Sequence, residues 1–148
     1  MSRDTVIMCI GNRDGGDDGI GPYIAERLQK DKVDFVVLDG GISPENYTSV
    51  VKRHHPETLI LVDAADMGLP AGEIRIIPKE KIGTMHLSTH GVSLALLIEF
   101  LKKDIKEIMV IGIQPKKMSG PMSAGVRKSG EHLIDMLQKK SFRDIPVF

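Results

Sequence analysis

Gly11-Asn12-Arg13-Asp14-Gly15-Gly16-Asp17-Asp18-Gly19-Ile20-Gly21 stands between two kinds of chain. Before it, Val6-Ile7-Met8-Cys9-Ile10 is apolar without interruption, the pattern of a strand buried on both faces. After it, Ile24, Ala25 and Leu28 fall on one face of a 3.6-residue period. The stretch is therefore a strand-to-helix loop, and in an open α/β sheet that crevice is where ligands bind. A glycine-rich loop at a helix N-terminus usually suits an anion, because its backbone N–H groups are available. Here Asp14, Asp17 and Asp18 put three carboxylates in the way. They repel a phosphate and attract a cation, so the loop reads as part of a metal site.

Working outward, the same alternation repeats. Buried strands are expected over residues 5–10, 33–38, 58–62 and 107–113, each an apolar run. Helices are expected over 19–30, 43–53 and 92–101, with a last one beginning near Ser123. Ser43, Pro44 and Glu45 supply a cap, a first-position proline and a first-turn acid for the second of these. Residues 73–77 alternate polar and apolar, as an antiparallel edge strand does. Residues 84–89 read as a polar connection, and 141–148 carry no pattern. This order predicts an α/β three-layer sandwich around a doubly wound, mostly parallel five-stranded sheet with one antiparallel strand. One domain over 1–148 is the natural count for 148 residues.

Composition removes several function classes. Twenty basic residues balance 20 acidic ones, so no global field draws in nucleic acid or an anionic membrane. Four Phe, two Tyr and no Trp leave no stacking platform for bases. No apolar run reaches the roughly 18 residues of a membrane span. Cys9 is the single cysteine, inside the first strand, so it reads as a small core residue of a protein in a reducing compartment. With no signal-peptide pattern at the start, the cytoplasm is the expected location. There is no Gly-x-Ser-x-Gly elbow and no lysine closing the glycine loop. Lys116 and Lys117 read as part of a solvated face that is able to meet an acidic partner.

Three of the expected strands run into an acidic residue: Asp17-Asp18 after the first, Asp39 after the second, Asp63 and Asp66 after the third. If the strands are parallel, these carboxylates converge on one sheet edge. Asp63 directly follows Leu59-Ile60-Leu61-Val62, where a buried charge needs a partner and a cation supplies one. Asp66 is expected to be exposed. Oxygen donors alone suit magnesium or calcium, and an added imidazole shifts the preference toward zinc, nickel, iron or manganese. Among the histidines, His54, His55 and His132 read as surface residues. His86 and His90 precede a helix on a loop able to cross the carboxylate edge, and His90 is the better candidate. At a helix N-terminus its imidazole is kept neutral and free to coordinate.

These residues resemble a known family. Cys9-Ile10-Gly11-Asn12 with Gly16-Asp17-Asp18-Gly19-Ile20-Gly21-Pro22 is similar to the N-terminal signature of the nickel–iron hydrogenase maturation proteases. Leu38-Asp39-Gly40-Gly41 with Pro44-Glu45-Asn46 resembles the second block, and Val62-Asp63-Ala64-Ala65-Asp66-Met67-Gly68 with Gly72-Glu73-Ile74-Arg75-Ile76-Ile77 the third. Ser88-Thr89-His90 and Ile111-Gly112-Ile113-Gln114-Pro115 match later blocks. The likeness is greatest to the formate-hydrogenlyase-type branch and runs from about residue 6 to 137.

The resemblance implies an endopeptidase that removes the C-terminal extension of a hydrogenase large-subunit precursor after nickel insertion. It implies that nickel arrives with the precursor, as the element recognised, although other divalent metals are able to occupy the site. It carries the nickel-contacting set to Asp18, Asp63 and His90, and a supporting acid to Asp39. Where some members have Glu in the loop this chain has Asp18, a shorter side chain, which keeps the adjacent Asp17 as a second candidate. Either a metal-activated water or an aspartate acting as base then attacks the peptide. A monomer is expected. Two other readings stay open: a nickel-sensing chaperone that does not cut, and another metal-dependent α/β hydrolase.

Overall fold

The computed structural model describes residues 4–83, the backbone of 86–87, and residues 93–148. In chain order the elements are β1 (Thr5–Ile10), a 3₁₀ turn (Gly16–Gly19), α1 (Ile20–Lys30), β2 (Val36–Gly41), a second 3₁₀ turn (Pro44–Tyr47) and α2 (Thr48–His54). They continue with β3 (Thr58–Asp66), β4 (Ile74–Ile77), α3 (Lys79–Ile82), β5 (His86–Leu87), α4 (Leu94–Leu101), β6 (Glu107–Ile113) and α5 (Ala124–Gln138).

Five strands form the main sheet in the order β2-β1-β3-β6-β4. The β1–β2, β1–β3 and β3–β6 pairs are parallel, and β4 runs antiparallel to β6. This is the expected doubly wound topology with its single antiparallel member. Side chains alternate across β1 and β3 because the strand period is two. Ile7, Cys9, Ile60 and Val62 pack under α1 and α5. Val6, Met8, Leu59 and Leu61 pack under α2 and α4. Strands covered on both faces have no polar side to show, which is why they read as continuous apolar runs. Across α1 and α5, Arg27 Nη1 donates to Glu131 Oε2 at 2.5 Å, and the Tyr23 hydroxyl donates to the same oxygen.

Several boundaries differ from expectation. β2 occupies 36–41 instead of 33–38: Val36 pairs with Val6, and Gly11 N–H donates to Gly41 O at 2.9 Å. Asp39 therefore lies inside the strand. β3 runs on through Asp63 to Asp66 because β6 still pairs with it up to Ala64, and β5 pairs with Ala65 and Asp66. The helix expected from Ser43 opens instead as a 3₁₀ turn, and the Ser43 side chain makes no capping bond. α4 begins at Leu94, capped by Ser93 Oγ, which accepts from Leu96 N–H at 3.2 Å. The expected start at residue 92 lies outside the described residues, as does His90. The patternless tail is also built in. Phe142 and Ile145 are buried, and Ile76 pairs with the chain around Val147. That pairing covers part of β4's free edge.

Two glycines are required by close approach. A Cβ on Gly21 would stand 2.1 Å from Ile10 O, so α1 could not pack on the end of β1. Gly16 has φ +63, and a Cβ there would stand 2.6 Å from Ser119 N and 2.7 Å from Ser119 O. Gly16→Ala is expected to destabilise the protein by about 2–3 kcal/mol, from left-handed strain together with separation of the two loops. Chemical denaturation of the two proteins measures this.

Candidate active site at the carboxyl edge of the sheet

All four residues of the 3₁₀ turn Gly16–Gly19 are buried. Asp17 is 0 % and Asp18 3 % exposed, although they sit in a loop. The two neighbours have different employment. Asp17 Oδ2 accepts from Lys116 N–H at 2.8 Å, Lys117 N–H at 3.0 Å and the Ser123 hydroxyl at 2.8 Å. Asp17 Oδ1 accepts from Ser123 N–H at 2.6 Å, and Asp17 N–H donates to Lys117 O at 2.9 Å. This side chain is a strut between the first loop and the one after β6. Burial alone would push its carboxyl up, but the hydrogen bonds from Ser123, Lys117 and Lys116 outweigh that and hold it below the usual range. Its oxygens are committed, so the alternative of Asp17 as a metal contact does not fit. Asp18 turns to a different partner. Its Oδ2 accepts from Asn12 N–H at 3.1 Å, a bond within the loop itself.

Asp63 is fully buried in β3, opposite Gly112 of β6. It shares the strand face of Leu61 and Ala65, toward α4. The 3₁₀ turn carrying Asp18 packs against β3. Two buried carboxylates, 45 positions apart in sequence, thus meet the same sheet edge from adjacent strands. Among the described residues no group of three His, Cys, Asp or Glu side chains comes together as a metal cluster. His90 and the His86 side chain lie outside the described residues. Asp39 takes the other face of the sheet. Its Oδ2 accepts from Arg13 Nη2 at 2.5 Å, its Oδ1 accepts from Gly41 N–H at 3.2 Å, and Arg13 also reaches Glu26 of α1 at 3.4 Å. Asp14 is exposed, as is Asp66.

The Cys9 thiol is pushed far up by burial, with Asp39 and Asp63 adding to the effect. A thiolate nucleophile is therefore not available. Sequence reasoning passed over two residues that shape the site. One is Arg13, which carries a cation into an acidic loop. The other is Gln114, 6 % exposed: its Oε1 accepts from Met67 N–H at 2.6 Å and Leu69 N–H at 3.3 Å, and its Nε2 donates to Asp66 at 3.2 Å. A buried Gln ending an apolar strand was the available signal, because such an amide needs partners. A cleft of about 570 Å³ beside α5, lined by Gly72, Ser129 and His132 among others, touches none of these carboxylates.

Fold and site together define a class: a doubly wound α/β protein with paired buried carboxylates at the carboxyl edge of its sheet. Residues 22–140 match the family model described as hydrogenase maturation protease. The hydrogenase 3 maturation protease of Escherichia coli strain K12 is 41 % identical over 137 residues, covering 90 % of this chain and 88 % of that protein. The solution structure of the endopeptidase HycI from Escherichia coli superposes with a TM-score of 0.85 at 37 % identity, over 95 % of this chain and 92 % of that one. The crystal structure of a [NiFe] hydrogenase maturation protease HycI from Thermococcus kodakarensis KOD1 gives 0.81 at 30 % identity, over 91 % and 90 %. The chain belongs to the hydrogenase maturation protease family. Among the described residues no helix is long and apolar enough to cross a membrane.

Proposed function

We propose that this protein cuts the C-terminal extension from a hydrogenase large-subunit precursor that already holds nickel, and that Asp18, Asp63 and His90 read that nickel. The observation that supports this best is the pair of buried carboxylates, Asp18 and Asp63, at one sheet edge of a chain in this family. Carboxylate oxygens with an imidazole suit a divalent transition metal presented by the substrate. The nickel belongs to the substrate, and its contribution is Lewis acidity toward the scissile carbonyl. The protein's own groups do the remaining work. One carboxylate takes the proton of the attacking water and returns it to the leaving amine. Asp39, fixed by Arg13, holds the loop geometry from the other face. The compartment is proposed to be the cytoplasm, and the working form a monomer.

Mass spectrometry of the precursor tests this. With nickel loaded, incubation is expected to remove a C-terminal peptide; without nickel, the mass is expected to stay unchanged. His90→Ala is expected to leave the loaded precursor intact. Full processing by that variant would remove His90 from the site, and an unchanged mass with the wild type would overturn the proteolytic reading.

A further inference from the structure

The loop between β6 and α5 has an arrangement that the cutting reaction itself does not explain. Its backbone is fastened to the 3₁₀ turn by the buried Asp17 carboxylate, through Lys116 N–H, Lys117 N–H and both Ser123 groups. Gly16 lies so close that even a methyl group would strike Ser119. Yet the side chains on this pinned backbone are turned to solvent. Lys116 and Lys117 are exposed, and Met118 is 49 % exposed. Neither lysine has a carboxylate within ion-pair distance among the described residues. Across the crevice, Ile42 follows the end of β2 and is 47 % exposed. The Asp18–Asp63 edge therefore has a large exposed apolar side chain on each flank and two uncompensated cations on one of them.

We propose that Lys116, Lys117 and Met118 form a docking surface for an extended acidic segment of the precursor protein, one carrying an apolar side chain alongside its carboxylates. Unpaired cations on a rigid loop select an anionic partner. A pre-ordered backbone also loses little entropy when that partner binds. Two lysines beside a methionine suit a peptide. A nucleic acid needs a wider basic face and aromatic stacking, and this chain has zero formal net charge and no Trp. The surface lies beside Asp18, so a segment held there leads into the carboxylate crevice. This inference rests on the proposed substrate.

The test compares the wild type with Lys116→Glu/Lys117→Glu, using nickel-loaded precursor, and measures both cleavage and binding. Asp17 holds backbone N–H groups of these residues, so the fold is expected to survive, with an unchanged Tm as the check. KM is expected to rise about tenfold while kcat stays within about twofold, because charges beside a site act mainly on encounter. Wild-type kcat/KM is expected to fall as salt rises from about 0.05 to 0.5 M, and that slope to flatten in the variant. Lys103→Glu/Lys106→Glu, near the opposite sheet edge, is expected to match the wild type. If the variant cleaves and binds with the same KM and salt slope as the wild type, the docking surface is overturned and the proteolytic reading survives. If the wild type binds the precursor in a lysine-dependent way without cutting it, the docking surface stands and the proteolytic reading falls. Absence of precursor binding, or lysine-dependent binding of a mixed-sequence RNA in its place, overturns the docking surface.

Discussion

Asp63→Asn and Asp18→Asn are each expected to slow removal of the precursor's extension by about a thousandfold or more, with the fold intact. The amide keeps the shape of the carboxylate but loses its charge and its ability to take a proton, and such groups contribute about 10²–10⁴-fold each. Asp63 is fully buried and Asp18 nearly so. The isosteric amide fills the same packed space, so both variants are expected to fold, with a single cooperative thermal transition as the check. Single-turnover cleavage of nickel-loaded precursor, with thermal unfolding of the same samples, measures both halves. A variant that keeps full activity would take its residue out of the site.

Asp17→Ala is expected to do the reverse, damaging the fold first. The change strands three backbone N–H groups and the Ser123 hydroxyl. Unsatisfied buried donors of this kind add to a loss of about 3–5 kcal/mol, or roughly 10 °C in Tm for a chain of this size. The same side chain makes stability depend on pH. Its folded-state pKa is lowered below the usual value of about 3.9. The contribution is therefore complete above that value and is lost as pH falls through the lower folded one. Acid titration of wild type and Asp17→Asn is expected to show the steeper loss below about pH 4 in the wild type. Equal acid sensitivity, or an unchanged Tm for Asp17→Ala, would remove the strut. Two adjacent aspartates thus separate by experiment: one variant keeps its fold and loses cleavage, the other loses its fold.

Most of the scaffold was legible beforehand because burial on both faces leaves a plain trace. β1 and β6 have the expected bounds, and Val126, Leu133, Ile134 and Leu137 are the buried face of α5. The edge strand at 74–77 showed itself by alternation, since one of its neighbours is solvent or tail instead of a second strand. The misses share a cause, which is partners distant in sequence. β2 takes its register from β1, and β3 is extended by β6 and β5. The tail looked patternless because its few apolar residues fill separate gaps, and Val147 meets Ile76 across some 70 positions.

By itself the sequence determined the α/β class, the parallel core and the gathering of acids at one edge, because these follow from local periodicity and the direction in which parallel strands end. It could not divide Asp17 from Asp18. Both are short acids in the same glycine loop, and either makes a plausible turn residue. The division was decided by donors on residues 116, 117 and 123, brought in only when β6 lies beside β3 and α5 folds back on α1. The pairing of β2 with β1 brings Asp39 to Arg13 on the other face, while Asp18 and Asp63 share the carboxyl edge. Local chemistry chose the residue types, and the packing of distant strands assigned each carboxylate its work.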